Sequence, residues 1–193
     1  MSIETQMTPG TAYVPLRLAG RPLAQKAVVL VLGIAFLTAS SWVQVPMWPV
    51  PMTMQTFAVL MVGALCGWRL GVATVAAWLA LSVVFPLLSE FKTLPMVITT
   101  SGYLAAFVIM AGFVGFMAER GWTARVIPCF LVLLAAEVMC FALGVGYLGS
   151  VIGYDKAVEF GLTPFILGDL VKTVLAVLLL TVFRRKLPAI GSI

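Results

Sequence analysis

Charged side chains are so sparse along this chain that their positions divide it into apolar stretches of membrane-crossing length. Ala27 to Trp68 contains no Asp, Glu, Lys or Arg over 42 residues. A helix crosses the hydrocarbon of a bilayer in about 20 residues, so this stretch predicts two crossings. The break falls at Pro46-Met47-Trp48-Pro49-Val50-Pro51, where three prolines remove backbone donors and force extended dihedrals. Span 1 is read as about 27–45 and span 2 as about 53–68. Arg69 ends span 2, and Leu70 to Ser89 forms span 3, closed by Glu90 and Lys92. Thr93 to Ala118 is longer than one crossing needs; Pro95 and Gly102 mark its first part as a loop and leave span 4 at about 101–118. After a polar turn, Glu119 to Arg125, span 5 runs over about 126–148 and is interrupted by Glu137. A connection over 149–162 carries Asp155, Lys156 and Glu159. Span 6 starts at Thr163-Pro164, an N-cap with proline in the first turn, and ends at Arg184-Arg185-Lys186.

Composition agrees with this pattern. Hydrophobic residues make up 62% of the 193 and charged residues 10%, where a soluble domain carries roughly 25% charge. Such a chain needs an apolar solvent around it. The expected fold is an all-α integral membrane protein, a six-transmembrane-helix bundle over 27–186, with tails at 1–26 and 187–193. With the N-terminus inside, the inner segments hold Arg17, Arg21, Lys26, Arg69, Arg120, Arg125, Arg184, Arg185 and Lys186, against Lys92 and Lys156 outside. Nine against two predicts both termini on the cytoplasmic side. Trp42, Trp48, Tyr147 and Tyr154 then fall near the outer boundary, and Trp68 and Trp122 near the inner one. Span 1 lacks a signal-peptide cleavage site and is read as retained.

Several chemistries find no support in the residues. There is no His, and Cys66, Cys129 and Cys140 form no CxxC, so no metal cluster or cofactor is expected. GxxxxGK[ST], HExxH and GxSxG are absent from the sequence, and no basic stretch interleaved with aromatics suggests nucleic acid.

The informative residues are those that do not belong in lipid. Asp169 and Lys172 are three apart on span 6 and share a face. Counted from Pro164 they lie roughly 8 and 12 Å into the helix, within the outer leaflet. Each is costly there unless it faces the protein interior. They form either a structural ion pair or a clamp for a ligand entering from outside. Gln55, just after the proline break, reaches the same level, as do Ser101, Gly102 and Tyr103. Together they suggest one outward-facing polar pocket, although Gln55 could bond a neighbouring backbone and Tyr103 could belong to the aromatic belt. Glu137 is read as a protonated or hydrogen-bonded group between helices rather than a proton relay, since no second buried acid or His continues a relay. Ala35 and Ala39, like Gly63, Gly67 and Gly71, recur at four-residue spacing. Such spacing permits close helix approach, within the bundle or against a partner.

Two motifs carry a family resemblance. Pro49-Val50-Pro51-Met52-Thr53-Met54-Gln55-Thr56-Phe57, followed by Gly63-Ala64 and Gly67-Trp68-Arg69-Leu70-Gly71, resembles the BioY family. So does Gly161-Leu162-Thr163-Pro164-Phe165-Ile166-Leu167-Gly168-Asp169-Leu170-Val171-Lys172. The resemblance implies six helices in a bacterial cytoplasmic (inner) membrane and capture of biotin from outside. It also implies coupling to a separate transmembrane subunit and two ATPases of an energy-coupling factor, and no enzymatic activity. Gln55, Tyr103, Asp169 and Lys172 match the motif positions and are the expected substrate contacts; Ala35 and Ala39 match the small-residue pattern where the coupling subunit docks. The chain departs from the family in having no glycine between Ser89 and Ser101 and in carrying Leu167 where many members have a second proline. The resemblance thereby implies a pocket lid of different shape. Two other functions are weighed against this one: the same fold binding a related acid such as lipoate, and a small proton-coupled carrier or membrane enzyme using Glu137.

Overall fold

A computed structural model describes residues 16, 21–85, 87 and 94–186. In chain order the elements are α1 (Leu23–Trp42), β1 (Gln44–Val45), β2 (Met52–Thr53), α2 (Gln55–Val84), α3 (Leu94–Glu119), a 3-10 turn (Trp122–Ala124), α4 (Val126–Ile152), α5 (Tyr154–Gly161) and α6 (Phe165–Lys186). Five of the described helices, α1, α2, α3, α4 and α6, are long and apolar enough to cross a membrane. The chain is thus an all-helical, multi-pass membrane protein.

Expected spans 2 and 3 both fall within α2, which is two limbs meeting at Gly67. Gly67 has φ 79° and ψ 174°, a conformation open to glycine, and an added Cβ would meet Glu119 Oε1 at 2.5 Å. The Glu119 carboxylate accepts the Trp68 N–H at 3.1 Å, so a residue 51 positions away satisfies a donor that the second limb cannot pair within itself. The limbs fold against each other: an added Cβ on Gly71 would lie 3.3 Å from Gly63 Cα. Eight residues along a straight helix would separate those positions by about 12 Å. The bend falls two residues before Arg69, the expected boundary.

From 55 to 64 the first limb is buried on nearly every side, as a helix surrounded by other helices must be. Ala58, Val59, Leu60 and Ala64 are core residues, with Met110, Ala111 and Val114 of α3 and Leu133 and Ala136 of α4. Small residues set the approach distances. A Cβ on Gly63 would reach the Ala111 carbonyl oxygen at 2.8 Å, and one on Gly115 would overlap the Gly67–Trp68 backbone. In contrast, Ala35 and Ala39 face outward from α1 beside the exposed Val31, Leu32 and Phe36, so they do not pack within the bundle.

Some boundaries differ from those expected. Residues 23–26 are the first turn of α1 rather than tail, entered from Pro22 at φ −54° and ψ 151°; the rest of the expected tails, 1–15, 17–20 and 187–193, lies outside the described residues. The segment expected as a loop before span 4 is helix from Leu94. Pro95 falls in the first turn, where its missing N–H breaks no intrahelical bond. Gly102 serves a close approach, since its Cβ would sit 2.5 Å from Tyr147 Cβ. The second limb of α2 stops at Val84, with Phe85 extended at φ −116° and ψ 145° ahead of a proline. Part of the expected glycine-poor lid, 89–93, lies outside the described residues. α4 continues to Ile152 and the following connection holds α5. Thr163 closes α5 instead of capping α6: its hydroxyl and its N–H both donate to the Val158 carbonyl at 3.0 Å.

Candidate functional site

The proline run does more than interrupt a helix. β1 and β2 pair antiparallel, Gln44 opposite Thr53 and Val45 opposite Met52, and Met54 N–H donates to Val43 at 3.0 Å. This short hairpin holds the loop 46–51 at the head of α2, and the Thr99 hydroxyl donates to the Pro49 carbonyl at 3.0 Å. Beneath the loop is a pocket lined from the loop itself and from α2, α3, α4 and α6.

The structure brings the four expected contact residues, Gln55, Tyr103, Asp169 and Lys172, to this one pocket. Asp169 and Lys172 are 3% and 7% exposed, so their charges are removed from solvent and need partners. Lys172 Nζ donates to Asp169 Oδ1 at 2.6 Å and to the Thr53 carbonyl at 2.6 Å, with a longer contact to Thr56 Oγ1 at 3.4 Å. The Thr56 hydroxyl donates to Asp169 Oδ1 at 3.2 Å. Gln55 Oε1 accepts from Thr53 Oγ1 at 2.6 Å, which fixes the direction of the amide. The Tyr103 hydroxyl donates to the Gly161 carbonyl at 2.9 Å, so it ties α3 to the end of α5 while the ring lines the pocket. Facing this polar end are Leu104, Phe107, Phe141 and Phe165; the last two meet edge to face with centroids 6.5 Å apart.

Sequence reasoning had not assigned Thr53 and Thr56. Their signal was present: hydroxyl residues flanking Gln55 directly after the proline break. Phe107, four residues after Tyr103, could have been found from helical spacing. Glu137 departs from one of its two expected readings, the hydrogen-bonded one. It is 3% exposed and neither carboxyl oxygen has a hydrogen-bond partner among the described residues, so it is not a hydrogen-bonded tie between helices. Nor is it isolated from other acids, because Asp169 and Lys172 act on it electrostatically and Thr56 stands beside it.

With this geometry in view, the comparison with known families is decisive. The sequence profile of the BioY family matches residues 8–189. This chain belongs to the BioY family. It is 31% identical over 153 residues to the biotin transporter BioY of Thermotoga maritima, covering 75% of this chain and 87% of that one. Over 143 residues it is 31% identical to the biotin transporter BioY of Rhizobium etli, covering 68% and 76%. A probable biotin transporter BioY of Pyrococcus horikoshii is 28% identical over 159 residues, covering 81% and 94%. The crystal structure of the S-component for biotin from an ECF-type ABC transporter superposes with a TM-score of 0.68 at 24% identity, covering 86% of this chain and 95% of that one. The fold is shared with that protein. The family is one of transporter subunits and not of enzymes.

Proposed function

We propose that this protein is the substrate-capture subunit of a vitamin transporter, binding biotin from the outside in the pocket beneath the proline loop. The observation that carries this reading is the buried Asp169–Lys172 pair at one end of an otherwise apolar cavity. Biotin's fused ring system presents two N–H donors and one carbonyl on its ureido edge. A carboxylate accepts from the N–H groups and an ammonium donates to the carbonyl. Gln55 adds an amide at the same end, and Tyr103 with the phenylalanines forms a wall for the sulfur-containing ring. Lipoate has no ureido edge, so it cannot present N–H donors to Asp169 and a carbonyl to Lys172 together. The names of the relatives support the same ligand. Native mass spectrometry of the detergent-purified protein is expected to reveal one co-purified or added biotin per chain. Retention of lipoate in preference to biotin would overturn the assignment.

Pocket width depends on a glycine outside the lining. A Cβ on Gly144 would overlap the Tyr103 ring at Cδ1 and Cε1, whereas one on Gly146 meets nothing within 4 Å among the described residues. Overpacking of this kind costs about 1–3 kcal/mol, and the soft direction for Tyr103 is into the cavity. Gly144→Ala is therefore expected to weaken biotin about tenfold or more, while Gly146→Ala leaves it unchanged. Equal affinities of the two variants in biotin titrations would detach Tyr103 from the pocket width.

The orientation follows from the charge bias, with both termini cytoplasmic and each limb of α2 crossing the membrane, six crossings in all, in a bacterial cytoplasmic membrane. In a background freed of native cysteines, a cysteine at Lys156, exposed in α5, is expected to react with an impermeant thiol reagent applied outside, as is one at Lys92. A cysteine at Arg120 should stay unlabelled until the membrane is opened; outside labelling at Arg120 refutes the six-crossing arrangement. Release of biotin inward requires energy from elsewhere, through a transmembrane coupling subunit and ATPase subunits. The outward-facing Ala35 and Ala39 are where that subunit docks.

A further inference from the structure

Glu137 is the buried ionisable group for which the biotin-binding reading has no use. It lies on α4 three and four residues before Cys140 and Phe141, which line the pocket. Those spacings set it on the same face of the helix, one turn deeper than the pocket. Asp169 and Lys172 of α6 and Thr56 of α2 lie within electrostatic reach of it, as does Cys140 on its own helix. Among the described residues, none donates a hydrogen bond to either of its oxygens. Thr56 stands next to it, but its hydroxyl proton goes to Asp169.

Lys172 presents the complementary situation. An ammonium has three donors, and all three are directed at protein: Asp169 Oδ1, the Thr53 carbonyl and Thr56 Oγ1. A ligand whose N–H groups occupy Asp169 competes for the acceptor that Lys172 now uses. The ammonium must then share that carboxylate or find another. We propose that Glu137 is the alternate partner of Lys172, a positioning residue that receives the ammonium when ligand N–H groups engage Asp169, and so aims its remaining donors at the ligand carbonyl. The inference rests on the ureido reading of the pocket and deepens it. The unpaired carboxyl is kept beside the site because the empty and the occupied pocket need Lys172 in different places.

The test is a double-mutant cycle on the purified full-length chain, titrated with biotin. Glu137→Gln keeps the shape but cannot become a carboxylate for the ammonium to pair with; it is expected to weaken biotin about tenfold. Because Glu137 acts through Lys172, the Glu137→Gln, Lys172→Gln double variant should bind within about threefold of Lys172→Gln alone. A residue that merely supports the fold would give losses that multiply. An infrared difference spectrum, with biotin minus without, should contain a carboxyl band in the wild type that Glu137→Gln removes. Should Glu137→Gln fold poorly, Glu137→Asp is expected to retain that band at a shifted position. Near-native affinity of Glu137→Gln, multiplying losses, or a spectrum with no band at this residue overturns the proposal. If Lys172→Gln binds biotin normally, the ureido reading itself has failed; if only Glu137→Gln does, this inference alone is lost.

Discussion

Replacing Asp169 by Asn or Lys172 by Gln is expected to weaken biotin by about ten- to more than a hundredfold. The range follows from the roughly 1.5–3 kcal/mol contributed by a hydrogen bond to a charged group. The competing interpretation is that the pair only secures α6 to the head of α2. In that case the double variant Asp169→Asn, Lys172→Gln would bind almost normally, because two neutral amides can bond each other and can still reach the Thr53 carbonyl and the Thr56 hydroxyl. In the clamp reading, restoring neutrality does not restore affinity, since neither polarity is then presented at full strength to the ureido edge. Melting temperature separates the two effects. Breaking a buried pair on one side leaves an uncompensated charge and destabilises by about 3–5 kcal/mol, so the single variants should melt lower than the double. A folded double variant with near-native affinity would remove Asp169 and Lys172 from the ligand site.

The second large effect is expected on uptake rather than on binding. Ala35→Trp and Ala39→Trp place bulk on the face of α1 that points away from the bundle. α1 is held from its other side: Trp78 Nε1 donates to Thr38 Oγ1 at 3.2 Å, the Ser41 hydroxyl donates to Leu87, and a Cβ on Gly33 would press on Thr74. An indole on the outer face leaves those contacts intact and blocks close approach by another helix. Biotin uptake by cells carrying either variant should fall to background, with biotin affinity of the isolated subunit unchanged. Loss of binding in the isolated protein would mean that the two alanines support the bundle after all, and uptake at the wild-type rate would remove them from the docking surface.

Much of the architecture was legible in the sequence, because bilayer insertion is enforced over short stretches of chain. Uncharged runs marked the long helices, the proline run marked the end of α1, and the Glu119 to Arg125 turn separated α3 from α4. The errors came where one residue type serves two purposes. Pro95 and Gly102 resemble loop residues, yet one fits a helix's first turn and the other a close helix contact with Tyr147. Thr163 resembles an N-cap, yet its hydroxyl closes the preceding helix.

The sequence by itself determined that the chain lies in a membrane, where its long helices run, and which few polar side chains need a reason to be there. Those are consequences of apolar length and of the cost of burying charge, and both can be counted along the chain. Only the tertiary structure decided what those side chains meet. Lys172 reaches Thr53 across 119 positions and Thr56 reaches Asp169 across 113. Tyr103 is anchored to a carbonyl 58 residues away, and the bend at Gly67 is held by a carboxylate from the far end of α3. Glu137 joins the same polar cluster from a helix that sequence reading had kept apart from it. Side-chain periodicity says which face of a helix turns inward; which faces then meet is set by interhelical packing, where a missing Cβ or one satisfied donor selects among arrangements that the hydrophobic pattern leaves equivalent.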